Sequence, residues 1–190
     1  MSASPDIIHQ LQPFAPGDRG PVRALTASAG GDGEAGLRFR YVLKADLGAL
    51  RIPALRAPRQ AGELWQHTCF EAFIAGAANC RYLELNFSPS TEWAAYSFAG
   101  YRTGMTALKL PDSPRIEVTR SPSELAVVVH VGGEALRPEA WRAAGAKLRI
   151  ALAAVIEDGS GGISYWALRH PPGKPDFHHA DGFAIEVTAP

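Results

Sequence analysis

The sequence predicts an all-β fold, an antiparallel two-sheet β-sandwich of about ten strands with at most one or two short helices. Two observations lead to this prediction. The 19 glycines and 15 prolines are spread along the whole chain and cut it into short segments, as the turns of a many-stranded domain do. Most segments between these turns alternate apolar with polar residues, which is the pattern of half-buried strands, whereas helical periodicity is scarce.

Individual segments support different places in a sheet. "LRFRYVL" at 37–43 alternates apolar residues with Arg38 and Arg40, as a strand with one buried face does. "LAVVVHV" at 125–131 and "LRIALAAVIE" at 148–157 are more continuously apolar, which is typical of central strands covered on both faces. The predicted strands are 6–12, 21–28, 36–45, 65–75, 81–88, 92–98, 114–120, 124–131, 147–157, 162–168 and 182–188.

Two other segments are not strands. "RPEAWRAAG" at 137–145 is the best helix candidate, with Pro138 near the first turn and Gly145 as a stop, and it has barely two turns. The basic segment 47–62 is interrupted by prolines and is predicted to be a loop. No internal repeat is visible, so we expect residues 1–190 to form a single domain.

The charge balance and the N-terminus limit the choice of partners. Lys plus Arg and Asp plus Glu both number 19, so no global field favours nucleic acid or a membrane surface. The first residues, "MSASPDIIHQLQPF", lack the basic region and apolar run of a signal peptide, and no stretch is long enough for a membrane helix. We therefore expect a cytoplasmic protein with two free thiols, Cys69 and Cys80, and no disulfide.

The segment "WQHTCFEAFI" at 65–74 contains an unusual row of polar and aromatic residues. If it is a strand, Trp65, His67 and Glu71 share one face. The next segment, "CRYLELNFSPS", sends Leu83, Leu85 and Phe87 to one face, and the other face receives Tyr82, Glu84 and Asn86. Because consecutive strands commonly pair, the two polar rows should merge into one surface. Paired carboxylates beside aromatic rings are typical of sites that bind hydroxylated ligands.

Two further segments supply neighbours for that surface. After the "SPST" turn, a strand begins with Trp93 and Tyr96, and Arg102 follows in a loop bounded by glycines. An arginine there could neutralise the carboxylates or contact a ligand itself. The segment "SYWALRHPPGKPDFHHADGF" at 164–183 predicts a strand and then a rigid, donor-rich loop. It contributes Trp166, Lys174, His178 and His179.

In their order along the chain, "LWQHTCFEAFI", "YLELNFSPSTEWAAYSFAGYR" and "SYWALRHPPGKPDFHHADGFAIEV" resemble the bacterial DOMON-like proteins related to family 9 carbohydrate-binding modules. The resemblance covers 64–188. The positions that match the family pattern are Trp65, Glu71, Asn86, Ser88, Pro89, Phe177, His178, Asp181 and Phe183. It implies a β-sandwich that binds a ligand, in some members a sugar held between aromatic rings and in others haem held by axial side chains.

The leading hypothesis is a non-catalytic module that binds a small hydroxylated ligand, either a sugar or a sugar-like metabolite, without a cofactor, metal or catalytic residue. Nucleic acid and membranes are not expected partners, and the oligomeric state is left open. The expected ligand-binding residues are Trp65, His67, Glu71, Tyr82, Glu84, Asn86, Trp93, Tyr96, Arg102, Trp166 and His178.

Three alternatives remain open on the sequence. Haem could be held by Met105 and His178 as axial ligands. A zinc-dependent enzyme could use His67, Cys69 and Glu71, although ligands spread along one strand reach a single ion poorly. In the third alternative, the polar row is only the solvated side of a sheet. Burial separates these hypotheses, because a binding site requires the carboxylates to lie under covering loops beside a concavity.

Overall fold

The computed structural model describes residues 7–32, 36–76, 80–133 and 146–188, and it confirms the predicted all-β sandwich. The described residues contain no α-helix, only 3-10 turns such as Pro16–Arg19, Leu47–Ala49, Leu64–Gln66 and Ala180–Gly182. The strands are β1 (His9–Gln10), β2 (Gln12–Pro13), β3 (Val22–Gly31), β4 (Gly36–Ala45), β5 (Cys69–Gly76), β6 (Tyr82–Phe87), β7 (Trp93–Phe98), β8 (Thr106–Ala107), β9 (Arg115–Arg120), β10 (Glu124–Gly132), β11 (Lys147–Glu157), β12 (Ile163–Ala167) and β13 (Ile185–Thr188).

These strands form two antiparallel sheets. The five-stranded sheet has the order β1-β3-β4-β10-β9. The eight-stranded sheet runs β2-β12-β11-β5-β6-β7-β8, and β13 also pairs with β11. The predicted strand 6–12 is two strands, because the chain changes sheets at the fully buried Leu11 between β1 and β2.

The core lies between the inner faces of the two sheets. Aromatic rings bridge them, with Phe39 stacked on Phe87 at 6.0 Å and Tyr41 beside Phe70 at 5.0 Å between ring centroids. The Tyr41 hydroxyl also donates a 2.7 Å hydrogen bond to the backbone carbonyl of Glu71 in the opposite sheet. This bond fixes the position of β5 relative to the five-stranded sheet.

The outer faces of the two sheets differ. Strand β10 of the five-stranded sheet alternates buried with partly exposed residues, as a sheet with one solvated face does. All residues of β5 and β6 in the eight-stranded sheet are buried, so its outer face is covered as well. The cover consists of three segments: the 3-10 turn Leu64–Gln66, residues 99–105 and residues 168–184. We name residues 168–184 the covering loop.

The remaining features concern the loop 47–62, the cysteines and the helices. The segment 47–62 is a loop apart from one 3-10 turn, and its Arg51 and Arg59 form ion pairs with Glu157 and Glu92. Both cysteines are free, Cys69 buried and Cys80 exposed. The helix expected at 137–145 lies outside the described residues. Within the described ranges, no helix has the length and apolar character needed to cross a membrane.

Candidate ligand-binding site

Two buried carboxyl groups form the floor of the candidate site. The structure confirms that alternation along β5 and β6 sends Glu71 and Glu84 to the same outer face, while Phe70 and Leu85 enter the core. In the register of the two strands, Glu71 lies opposite Asn86 and Glu84 lies opposite Phe73, so the acids are diagonal neighbours. Glu71 is 3% exposed and Glu84 is 6% exposed. We name these two residues the carboxyl pair.

The carboxyl pair opens into a cavity of about 520 Å³, a volume typical of small-molecule sites. The outer face of the eight-stranded sheet forms its floor, and the covering loop forms its opposite wall. The cavity therefore has the property that separates a binding site from a merely solvated face. Its lining residues are Trp65, Glu71, Glu84, Phe98, Arg102, Met105, Val155, Tyr165, Lys174, Pro175, Phe177 and His178.

The hydrogen bonds of the carboxyl pair are incomplete. The Asn86 side-chain nitrogen donates to Oε1 of Glu84 at 2.8 Å. Among the described residues, Glu71 Oε1 and Asn86 Oδ1 are buried without a hydrogen-bond partner. A buried polar atom without a partner costs about 1 to 3 kcal/mol. A ligand in the cavity could satisfy such an atom.

Burial also changes the acidity of these groups. Burial raises the pKa of Glu71 well above its ordinary value, and the charge of Glu84 adds to this effect more than Arg102 offsets it. Burial also raises the pKa of Glu84, while the hydrogen bond from Asn86 and the charge of Arg102 oppose it. Glu71 therefore tends to hold a proton and to act as a hydrogen-bond donor as well as an acceptor.

His178 joins the covering loop to the sheet. Its Nδ1 lies 2.7 Å from the Tyr82 hydroxyl. The centroid of its ring lies 5.0 Å from the ring centroid of Phe73 and 5.1 Å from that of Phe98. Burial, together with the charge of Arg102, lowers the pKa of His178 to about 4. The imidazole is therefore neutral at physiological pH, and its Nε2, 3.9 Å from Glu84 Oε2, supplies no counter-charge.

Asp176 holds the rim of the cavity together. Its buried carboxylate accepts hydrogen bonds from Nε and Nη2 of Arg102 at 3.0 and 2.7 Å, and another from the Tyr101 hydroxyl. Burial would raise the pKa of Asp176, but the hydrogen bonds from Arg102 and Tyr101 hold that pKa below its ordinary value. The aspartate thus remains charged and connects the covering loop to residues 101–102.

The backbone around Arg102 is also constrained. Arg102 has a φ of 52° and donates its backbone N–H to the Tyr82 hydroxyl at 3.2 Å. At Gly104, φ is 64° and a Cβ would stand 2.7 Å from that of Ala99, so this tight loop requires glycine there. Together these features direct the guanidinium of Arg102 into the rim.

No protein-family model and no curated protein sequence matches the chain. A candidate carbohydrate-binding protein from Bacteroides uniformis superimposes with a TM-score of 0.68 at 11% identity, over 96% of this chain and 86% of that one. A family 9 carbohydrate-binding module from Caldicellulosiruptor kristjanssonii, solved with cellotriose, gives 0.54 at 10% identity, over 96% and 82%.

The chain shares the fold of these two proteins. At such low identity the likeness concerns the fold only. A structure of the Caldicellulosiruptor kristjanssonii module with glucose aligns with a TM-score of 0.48 at 11% identity, over 87% of this chain and 75% of that one.

On this fold, most of the predicted site residues lie on or around the cavity. Trp65, Glu71, Glu84, Arg102 and His178 line it. Tyr82, Asn86 and Tyr96 lie just beneath, where they support His178, Glu84 and the Trp65 ring.

Two predicted tryptophans belong to the core instead. Trp93 and Trp166 are 4% and 1% exposed and pack between the sheets, so they are not part of the cavity lining. The reason is strand alternation, because residues three apart, such as Trp93 and Tyr96, point to opposite faces of β7. Trp166 uses its Nε1 to donate to Ser164 Oγ at 3.0 Å.

The expected position of His67 is also wrong. The predicted strand 65–75 begins only at Cys69, because Glu63, with a φ of 58°, leads into the 3-10 turn Leu64–Gln66. His67 follows this turn, and its Nδ1 lies 2.8 Å from Glu157 Oε2, away from the cavity lining. Trp65 still reaches the cavity from the turn, where it contacts Tyr96 edge-on at 5.6 Å between centroids.

The zinc arrangement does not form. The proposed ligands were His67, Cys69 and Glu71, and only the last lines the cavity. Across the ranges that the structure describes, no three His, Cys, Asp or Glu side chains converge as a metal site requires.

Some lining residues were absent from the predicted site. Phe98 and Tyr165 follow from alternation, since they share faces with Tyr96 and Ala167. Lys174, Pro175 and Phe177 reach the cavity only because the covering loop folds back over the sheet. No local pattern in the sequence contains that long-range contact.

Proposed function

We propose that this chain is a non-catalytic module that binds a sugar or a sugar-like metabolite in the cavity above the carboxyl pair. The observation that carries the proposal is the buried, unpartnered Oε1 of Glu71 on the floor of that cavity. A buried polar atom is retained at a cost in stability, and a hydroxyl of the ligand would offset that cost.

Aromatic rings supply the second part of the recognition. Trp65, Phe98, Tyr165 and Phe177 line the same cavity as the carboxyl pair. Sugars have apolar faces of C–H groups and polar edges of hydroxyls, so a site for them combines rings with hydrogen-bonding groups. Arg102 adds a donor at the rim, because about half of its side chain stays exposed beside Asp176. This combination supports binding, and nothing in it requires a chemical step.

The descriptions of the two proteins that share the fold support the same class of ligand for this chain. One is described as a candidate carbohydrate-binding protein, and the other was solved with cellotriose. We extend that class of ligand to this chain because of the chemistry of its own cavity.

We also propose that the chain acts as a single DOMON-like domain of bacterial type in the cytoplasm, where the exposed Cys80 thiol would stay reduced.

The test is a thermal-shift and calorimetric screen of the chain against glucose, galactose, mannose, glucosamine and cellobiose. A ligand that binds only the folded state raises its apparent stability. We expect dissociation constants between roughly micromolar and millimolar, or about 4 to 8 kcal/mol. The Glu84→Gln variant should bind at least about tenfold more weakly, while the control Glu117→Gln, on the five-stranded sheet, should bind normally. Absence of binding to every sugar would refute the proposal.

Haem is the second candidate, because Met105 and His178 line the same cavity. Coordination would require the His178 ring to be free, whereas its Nδ1 contacts Tyr82 and its Nε2 faces Glu84. The sugar hypothesis leaves these contacts intact and is therefore favoured. Titration with haemin distinguishes the two, since a sharp Soret band lost in Met105→Leu would support haem.

A further inference from the structure

No lysine or arginine of the described residues forms an ion pair with the carboxyl pair. Among the described residues, Glu71 has no ion pair, and the nearest basic group to Glu84 is the neutral imidazole of His178 at 3.9 Å. The guanidinium of Arg102 makes its contacts with Asp176 instead. Two adjacent buried carboxyls without a cation are costly to ionise, so a positively charged partner would gain an unusually large interaction there.

The remaining surroundings suit a positive group. Glu71 Oε1 is unpartnered and 97% of the residue is buried, since its exposure is 3%. The rings of Trp65, Phe98, Tyr165 and Phe177 line the cavity, and ring faces attract cations. The positive charges are at the rim, where Arg102 is paired with Asp176 and Lys174 is exposed to solvent. The floor of the cavity therefore favours binding of an ammonium group.

We propose that the ligand is an amino sugar whose ammonium group binds between Glu71 and Glu84. This inference rests on the proposed sugar-binding function and narrows it. The ammonium donates to Glu71 Oε1 and to the second carboxylate, and its charge removes the repulsion between the two acids. Burial and mutual repulsion raise both pKa values in the free chain, and the ammonium favours the ionised form of both carboxyls, so binding is coupled to release of protons from the pair to solvent.

The proton release depends on the titratable groups that surround the carboxyl pair on every side. They are Tyr41 from the five-stranded sheet, Cys69 on β5, Tyr82 on β6, Tyr96 on β7, Arg102 after β7, and Lys174, Asp176 and His178 in the covering loop. Near neutral pH the tyrosines and Cys69 are neutral because their pKa values are raised. His178 is already deprotonated. The carboxyl pair is thus the group that can release a proton.

Three matched ligands test the inference by isothermal titration calorimetry near neutral pH. Glucosamine carries the ammonium, glucose has a hydroxyl in its place, and N-acetylglucosamine has an uncharged amide. We expect glucosamine to bind at least about tenfold more tightly than either, since a charge-assisted hydrogen bond exceeds a neutral one. Glu84→Gln should abolish this preference, whereas Glu117→Gln should keep it.

A second measurement on the unaltered chain avoids any folding defect of a variant. Glucosamine binding in two buffers of different ionisation enthalpy should give different observed heats, corresponding to release of a proton, while glucose should give equal heats. Equal affinity for glucose and glucosamine, with no proton release, overturns the inference and leaves the proposed function standing. Absence of binding to all three sugars overturns both.

Discussion

Glu71 and Glu84 lie on adjacent strands, diagonally across the register of β5 and β6, and both carboxyls face the same cavity. Among the described residues, neither carboxyl forms an ion pair with lysine or arginine, and the His178 ring, 3.9 Å from Glu84, is neutral. This arrangement reduces stability, because buried acids resist ionisation. Groups that reduce stability in the apo protein are a recurrent property of binding and catalytic sites.

The first prediction concerns the stability cost of Glu71. Its pKa is raised in the folded chain, so the unfolded chain ionises first as the pH rises above the ordinary value near 4.5. Folding stability contributed by this group is present at low pH and is lost as the pH rises. Glu71→Gln cannot ionise and should therefore be more stable than the unaltered chain near neutral pH. Urea unfolding at several pH values should show that the difference in free energy of unfolding between the two proteins shrinks toward pH 4.5. A variant that is less stable than the unaltered chain at neutral pH would contradict the prediction.

His178 should make folding stability depend on pH in the opposite direction. Its pKa is lowered to about 4 in the folded chain from an ordinary value of 6.5, so the unfolded chain binds a proton first as the pH falls. The stability is complete above pH 6.5 and declines as the pH falls from there toward 4. In His178→Gln this part of the pH dependence should disappear. The measurement is urea unfolding of both proteins across this range, and parallel curves would show that His178 is not buried as described.

A pair of tryptophan variants separates the cavity from the core. Trp65→Ala should weaken sugar binding by about 1 to 2 kcal/mol, or roughly five- to thirty-fold, because a stacking ring is lost. Trp166→Ala should reduce the free energy of unfolding by about 3 to 5 kcal/mol, because it leaves a void between the sheets. Its folded fraction should keep normal affinity. Calorimetry and urea unfolding measure the two effects, and reversed outcomes would place the ligand elsewhere.

The sequence predicted the floor of the site and named Trp65, Arg102 and His178 from its cover, but it did not predict how the cover folds over the sheet. Alternation along β5 and β6 is a local property, so the common face of Glu71 and Glu84 could be inferred from each strand alone. The same rule, applied to β7, would have separated Trp93 from Tyr96 and kept the former out of the site. His67 was misplaced because the left-handed Glu63 starts a 3-10 turn that the polar pattern of 65–74 conceals.

The wall of the cavity depends on contacts between residues far apart in the chain. Asp176 and Arg102 are 74 positions apart, and His178 and Tyr82 are 96 apart. No periodicity in either segment contains such a pairing. The sequence could indicate that the covering loop is rigid and rich in donors, but only the folded chain shows which donors face the carboxyl pair.

The Asp176 connection leads to a further prediction. Asp176→Asn would remove the negative charge from the side chain that accepts hydrogen bonds from Arg102 and Tyr101. A hydrogen bond to a charged group contributes about 1.5 to 3 kcal/mol net to stability. We expect a loss of stability of that order and weaker sugar binding, since the covering loop loses its tie to the rim. Limited proteolysis should cleave within 168–184 more readily than in the unaltered chain. Asp112→Asn, in an exposed turn, is the matched control.

The most direct test of the central claim is an NMR titration of the isotopically labelled chain with glucose and with glucosamine. If the cavity above the carboxyl pair is the binding site, amide shifts should concentrate at 65, 71, 84, 98, 102, 174 and 176–178, all around the cavity. The outer face of β9 and β10 should remain unchanged. Saturable shifts confined to the five-stranded sheet, or no shifts at any sugar concentration, would contradict the account.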